Sequence, residues 1–150
     1  MIRIFISAVL YLITSFTQAQ TISNDELAQS MEETFTIKAM VNQIQPETGT
    51  VYFAMYSSES DFANRKAFQT RKASAAKGAV EVIFDNVPVG IYAITCFHDK
   101  NSNGKMDFSP NGIPEENYGS SNNVMNFGPP RFSDAKFEVS GKDLTFEIKF

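Results

Sequence analysis

Short segments in which apolar and polar residues alternate constrain the fold of this chain more than any other feature. Every second residue from 34 to 41 is apolar or small, and the alternation recurs in "TVYFAMYSS", "AVEVIFDNV", "IYAITCFHD", "AKFEVS" and "LTFEIKF". A period of two places successive side chains on opposite faces of a strand. Turn residues such as Pro88 and Gly90 separate the segments, and no long helical pattern interrupts them. The sequence therefore predicts an all-β sandwich of about seven strands.

The N-terminus has the pattern of a secretory signal peptide. Arg3 precedes an apolar run over 4–13, and Thr17, Gln18 and Ala19 fit a cleavage site of the small-x-small type. The run is shorter than the roughly 20 residues that a membrane span needs. We therefore predict a signal peptide over 1–19, a mobile leader over 20–33 and a single domain over 34–150. The mature chain is expected to be exported to the periplasm or beyond the cell, without membrane insertion.

Charge and cysteine content narrow the classes of function. The chain has a formal net charge of −4, and removal of Arg3 with the signal peptide makes it one unit more negative. Nucleic-acid binding needs a basic face, so we expect no nucleic-acid partner. Cys96 is the single cysteine, and an internal disulfide is therefore excluded. Such an exported domain depends on its core, or on a bound ion, for stability.

The segment over 99–134 is much longer than an ordinary connection between strands, yet it contains apolar residues throughout. We predict one long ordered loop. Its start resembles a twelve-position calcium loop, in which oxygen ligands alternate along the chain and glycine makes the turn at position 6. The matching residues, at positions 1, 3, 5, 6, 7 and 9, are Asp99, Asn101, Asn103, Gly104, Lys105 through its backbone carbonyl, and Asp107.

Position 12 of that pattern, which normally holds a bidentate glutamate, is Pro110. The closing carboxylate must then come from farther along the chain, and we predict Glu115, with Glu116 as its neighbour. Few carboxylates imply a weak Ca²⁺ site, with a Kd on the order of 10⁻⁴ to 10⁻³ M. The alternative is a rigid loop without metal, since Asp and Asn also favour Asx turns and positive φ.

Catalysis and ligand binding are the competing interpretations. His98, Asp99 and Glu115 could form the site of a hydrolase-type enzyme, and Cys96 shares a strand face with His98, although their parallel side chains make direct activation awkward. Tyr118 and Phe127 could instead bind a carbohydrate or a peptide if they are exposed together.

The joint motif "FDNVPVGIYAITCFHDKNSNGKMD", "GIPEENYGSSNN" and "PPRFSDAKFEV" resembles the bacterial family known as domain of unknown function 2141, over about 34–150. Ser120 stands where that family has an aromatic residue. The resemblance implies an exported β-sandwich and brings no established activity. The positions on its characteristic pattern are His98, Asp99, Asn101, Asn103, Gly104, Asp107, Gly112, Pro114, Glu115, Tyr118, Gly119, Asn122 and Asn123.

A shorter stretch, "VPVGIYAI" followed by the Asp/Asn-rich loop, resembles transthyretin-like and Cna-B-like modules of bacterial surface proteins. It implies an immunoglobulin-like or transthyretin-like sandwich, and fold analogy of this kind does not assign a function. The function we expect is that of a non-enzymatic binding or structural module with a Ca²⁺-organised loop. Its expected partner is a cell-envelope protein or a glycan.

Overall fold

The computed structural model of the protein describes residues 33–75, 79–124 and 128–150. The predicted signal peptide and almost all of the predicted leader lie outside the described residues. The strands in this part of the chain are β1 Thr34–Asn42, β2 Thr50–Tyr56, β3 Gln69–Ser74, β4 Ala79–Pro88, β5 Gly90–Asp99, β6 Tyr118–Ser120, β7 Lys136–Val139 and β8 Leu144–Ile148. Two short α-helices, α1 Glu59–Ala63 and α2 Phe132–Ala135, and a 3₁₀ turn Ser121–Asn123 accompany them.

The strands form two sheets. One has the order β4-β1-β8, in which β1 is antiparallel to β4 and parallel to β8. The other has the order β3-β2-β5, with the short strands β6 and β7 both paired antiparallel to β5. The apolar faces of both sheets join in one core: Ile37, Val41 and Phe84 come from the first sheet, and Phe53 and Ile94 from the second. The predicted all-β sandwich is confirmed, with eight strands rather than about seven.

Strands β3 and β6 are the two that the apolar pattern did not indicate. β3 is polar and basic, and its residues alternate between half-buried and exposed, as expected for an edge strand. β6 has only three residues and lies inside the predicted long loop. Too few apolar residues occur in either strand to produce a period-two signal.

Side chains of β3 close the gap between the two sheets. Arg71 donates from Nε to the backbone oxygen of Ile83 over 2.7 Å, and Gln69 donates from Nε2 to the backbone oxygen of Asp85 over 2.9 Å. The Arg71 guanidinium also lies 5.4 Å from the centre of the Phe84 ring, within cation–π range. The free edge of β4 is therefore partly occupied by side chains of the opposite sheet.

Candidate functional site

The first arm of the long loop begins at Asp99, the last residue of β5. Its side chain is fully buried, and its carboxylate accepts two backbone N–H groups: Asn103 at 3.1 Å and Gly104 at 2.7 Å. Ser102 and Gly104 adopt positive φ values of 61° and 77°, which curl the backbone around that carboxylate. The fold thus uses Asp99 to shape the loop.

Asn101, Asn103 and Asp107 come together at the outer side of this arm. The side-chain amide of Asn101 donates to Asp107 at 2.7 Å, and that of Asn103 donates to both Asp107 oxygens at 3.0 and 2.8 Å. Each amide oxygen accepts the backbone N–H of the residue two positions later. The Asn101 oxygen accepts from Asn103 at 3.1 Å, and the Asn103 oxygen accepts from Lys105 at 2.8 Å. These are successive Asx turns. The alternation seen in the sequence corresponds to a repeated local turn.

The second arm reaches the first through Glu116. This side chain is 5% exposed, and its carboxylate accepts the backbone N–H of Lys100 at 2.8 Å and that of Asp107 at 3.2 Å. Glu115, the predicted closing ligand, has an exposed side chain, and only its backbone bonds to the first arm, through Asp107 and Lys100. Glu116 is therefore the carboxylate that bonds to the first arm.

Three carboxylates in this region have no cationic partner among the residues that the structure describes. Within the described ranges Asp99, Asp107 and Glu116 take part in no ion pair, and their recorded partners are hydrogen-bond donors of the backbone and of amide side chains. Across those same ranges no three His, Cys, Asp or Glu side chains are grouped so that they could hold a metal ion. An ion at this loop would therefore also need oxygens from amides and from the backbone.

His98 faces the interior and is fully buried. Its Nε2 atom lies 2.6 Å from the backbone oxygen of Thr48, so this nitrogen carries the proton and donates it. Nδ1 has no hydrogen-bond partner among the described residues, and the ring stacks on Phe150 with 6.3 Å between centres. Neighbouring residues of a strand point to opposite faces, so His98 and Asp99 are directed away from each other.

Cys96 lies in the same core as His98. Burial raises the pKa of its thiol, and a hydrogen bond with the backbone of Gly119 offsets part of that effect. A thiol kept protonated in this way is a poor nucleophile.

Of the two predicted ligand-binding aromatics, only Tyr118 belongs to the described part of the chain. Tyr118 is half-buried, and its hydroxyl lies 3.5 Å from the backbone oxygen of Gly128; Phe127 lies outside the described residues. Beside Tyr118 runs a groove of about 580 Å³ that is also lined by Glu116, Lys149 and Phe150, among others. Phe150, which lines this groove, also stacks on the His98 ring.

The "SSNN" stretch has a role that the sequence did not reveal. Ser121 bonds to the backbone of Ile94 and of Ala135, and the Asn122 amide donates to the backbone oxygens of Asp134 in α2 and of Lys136, the first residue of β7. Asn123 donates to the backbone oxygen of Glu147 at 2.7 Å and accepts the N–H of Lys149 at 2.8 Å. Asn123 thus bonds to the backbone at the edge of β8, where a further strand would pair. The only signal of these side chains in the sequence is the tendency of Asn to adopt positive φ, seen here at 70° and 53°.

Comparison with known proteins identifies one family. The model of a family described as uncharacterized proteins conserved in bacteria (DUF2141) matches residues 39–147, most of the β-sandwich, in agreement with the resemblance of the sequence motif. No curated protein and no solved structure matches the chain significantly. The weaker resemblance to transthyretin-like and Cna-B-like modules is thus not confirmed. Within the described ranges, no helix is long and apolar enough to cross a bilayer.

Proposed function

The chain belongs to the DUF2141 family of proteins conserved in bacteria, and we propose that it is an exported, non-enzymatic binding or structural module whose loop from Asp99 to Asp107 is organised by Ca²⁺. The observation that carries this proposal is a group of carboxylates at the meeting point of the two loop arms, for which the described residues provide no cationic partner. Asp99 is fully buried there, and Glu116 almost so.

The ligand chemistry suits a hard cation. Ca²⁺ accepts six to eight oxygens in flexible geometry, and carboxylate, amide and backbone oxygens are its usual ligands. Asp99, Asn101, Asn103 and Asp107 supply such side-chain oxygens within one short loop, together with the backbone oxygen of Lys105. The Asn101 and Asn103 amides now donate to Asp107, so binding would replace these donors with the ion. The sixth ligand would be Glu115, as the sequence predicts, or Glu116, which already bonds to the first arm.

The non-enzymatic part of the proposal rests on His98. A general base must reach the proton that it removes, whereas His98 is fully buried, donates to Thr48 and is covered by Phe150. Asp99 is likewise buried and already accepts two backbone N–H groups. A hydrolase site built from His98, Asp99 and Glu115 would require this end of the sandwich to open.

The sequence supports the proposal of export, and export in turn suggests the class of partner. The N-terminal pattern over 1–19 indicates secretion, and millimolar Ca²⁺ outside the cytoplasm would suffice for a site of this strength. A cell-envelope protein or a glycan is the partner that such a location offers.

Thermal unfolding tests the role of the ion. The mature chain, residues 20–150, would be melted in about 10 mM Ca²⁺, a concentration at least tenfold above the expected Kd. Parallel samples would contain the same concentration of Mg²⁺ or a chelator. Binding at that excess stabilises the fold by about 1.4 kcal/mol, which raises Tm by roughly 3–8 °C. Coincident melting curves in Ca²⁺ and in chelator would show that the loop folds without an ion.

Two variants locate the effect. Asp107→Asn removes a carboxylate from the loop and should abolish most of the Ca²⁺-dependent shift in Tm. Asp85→Asn removes an exposed carboxylate from β4 in the other sheet and should leave the shift unchanged. Equal shifts in both variants would place any bound Ca²⁺ elsewhere on the protein.

A further inference from the structure

The chain contains two Asn–Gly pairs, Asn103–Gly104 in the first arm of the loop and Asn111–Gly112 in the turn before the second arm. Glycine lacks a Cβ, so its backbone nitrogen is unshielded and can approach the side-chain carbonyl of the preceding asparagine. From their surroundings we infer that Asn111 is a site of spontaneous deamidation in the folded protein, whereas Asn103 is protected.

The reaction needs only water. The backbone nitrogen of Gly112 attacks Cγ of Asn111, the N–Cγ bond forms, and the Cγ–Nδ2 bond breaks. The Gly112 nitrogen gives up its proton, and the side-chain nitrogen leaves as ammonia. Water then opens the five-membered imide at either carbonyl carbon, which leaves aspartate or isoaspartate. One water is consumed and one ammonia is released, without an oxidant or a reductant.

Asn103 is held away from this reaction by contacts at both ends of its amide. Its Oδ1 accepts the N–H of Lys105 at 2.8 Å, and its Nδ2 donates to the two oxygens of Asp107 at 3.0 and 2.8 Å. The attacking nitrogen is occupied as well, because the N–H of Gly104 donates to Asp99 at 2.7 Å. Ring closure at Asn103 would have to break these bonds first.

Asn111 has none of this restraint on its side chain. The side chain is exposed, and within the described residues it makes no hydrogen bond. The turn around it is closed by backbone bonds from Gly112 N–H to the oxygen of Ser109 and from Ser109 N–H to the oxygen of Ile113, both at 2.8 Å. The hydroxyl of Ser109 also accepts the N–H of Ile113 at 3.2 Å, so none of these bonds involves the Asn111 side chain. A Cβ placed on Gly112 would meet no atom within 4 Å, so water and the rotating amide have free space. The glycine N–H donates a hydrogen bond at both sites, so the difference between the sites lies in the asparagine side chain, which is held at Asn103 and not at Asn111.

Conversion would change the loop locally. Each event adds one negative charge to an acidic chain. The isoaspartate product also routes the main chain through the side-chain carbon, which lengthens the turn just before Glu115.

Peptide mapping by mass spectrometry tests the inference. The folded mature chain would be incubated in mildly alkaline buffer with chelator, and trypsin cleavage after Lys105 places the two asparagines on separate peptides. We expect the mass change from amide to acid to accumulate at Asn111, at a rate roughly tenfold or more above that at Asn103; tenfold corresponds to about 1.4 kcal/mol.

Unfolding and substitution are the controls. In concentrated urea the two sites should convert at comparable rates, because only the fold distinguishes them. Asn111→Gln should lose the conversion at its own site and leave Asn103 unchanged. Equal rates in the folded protein, no conversion at Asn111, or a contrast that persists in urea would each overturn the inference.

Discussion

The Oε1 atom of Glu116 accepts the backbone N–H of Lys100 over 2.8 Å, across sixteen positions of sequence. This bond ties the second arm of the loop to the residue that follows β5, and the other carboxylate oxygen accepts the N–H of Asp107. One buried side chain thus fixes both arms. The loop is ordered because its backbone groups are bonded to carboxylates, which are stronger acceptors than neutral groups.

Glu116→Gln should therefore destabilise the domain. Glutamine retains the shape, but its NH₂ group faces one of the two backbone N–H donors and leaves that donor unsatisfied. We expect a loss of about 1–3 kcal/mol in the free energy of unfolding, measured by urea denaturation. Glu115→Gln, at the adjacent exposed position, should change it by less than about 0.5 kcal/mol. A larger loss in Glu115→Gln than in Glu116→Gln would show that Glu115 is the residue that joins the arms.

Gly49 marks the close approach of the β1–β2 connection to the end of β5. Its φ is +85°, and a Cβ there would lie 2.1 Å from the backbone oxygen of Asp99. Gly49→Ala should cost at least about 2 kcal/mol, since backbone strain and overlap with the main chain add. Gly141→Ala has a similar φ of +69° and open space around it, so it should cost only about 1 kcal/mol. Equal losses in urea denaturation would show that the contact with Asp99 relaxes freely.

Arg71 protects the β4 edge. In Arg71→Ala the bond to Ile83 and the contact with the Phe84 ring disappear, and an uncovered strand edge favours pairing with another chain. We expect concentration-dependent self-association, detected by size-exclusion chromatography with light scattering. Lys72→Ala, at the neighbouring exposed position of β3, should remain like the wild type. Monomeric Arg71→Ala at every concentration would contradict this role.

A strand can be predicted from this sequence when burial of one or both of its faces requires a regular pattern of apolar residues. β1, β2, β4 and β5 bury one face or both, and the alternation of apolar residues makes them visible in the sequence. β3 lies at an edge and is held partly by side-chain bonds from Arg71 and Gln69, which leave no hydrophobic period. The parallel pairing of β1 with β8 joins the two ends of the domain, and no local pattern encodes such a distant partner.

Some residues of the candidate site could be predicted from the sequence, and one could not. Asp99, Asn101, Asn103 and Asp107 were predicted from their spacing, and the structure brings their side chains into one connected network. Glu116 could not be distinguished from Glu115, because the choice depends on which of two adjacent side chains faces inward in a segment without periodicity. Their Ca²⁺ binding stays a prediction.

Asn123 holds the edge of β8 by two bonds, from its amide to the oxygen of Glu147 and from the N–H of Lys149 to its own oxygen. Asn123→Ala loses both, and alanine is also less suited than asparagine to the φ of +53° found there. We expect a loss of about 1–3 kcal/mol by urea denaturation. Val124→Ala, at the exposed next position, serves as the control and should stay within about 0.5 kcal/mol. A loss in Asn123→Ala no greater than in this control would mean that β8 needs no partner at its edge.

Because of Cys96, the free energy of unfolding of the domain should decrease as the pH rises in the alkaline range. Burial raises the pKa of its thiol in the folded state, whereas the unfolded thiol ionises near its ordinary value of about 8.5. Above that pH the unfolded state binds fewer protons than the folded state, so the free energy of unfolding falls as pH rises. The expected slope approaches about 1.4 kcal/mol per pH unit. Urea denaturation of wild type and Cys96→Ala from neutral to alkaline pH isolates the effect, because other groups titrate alike in both. Parallel curves for the two proteins would show that the buried thiol ionises as readily as an exposed one.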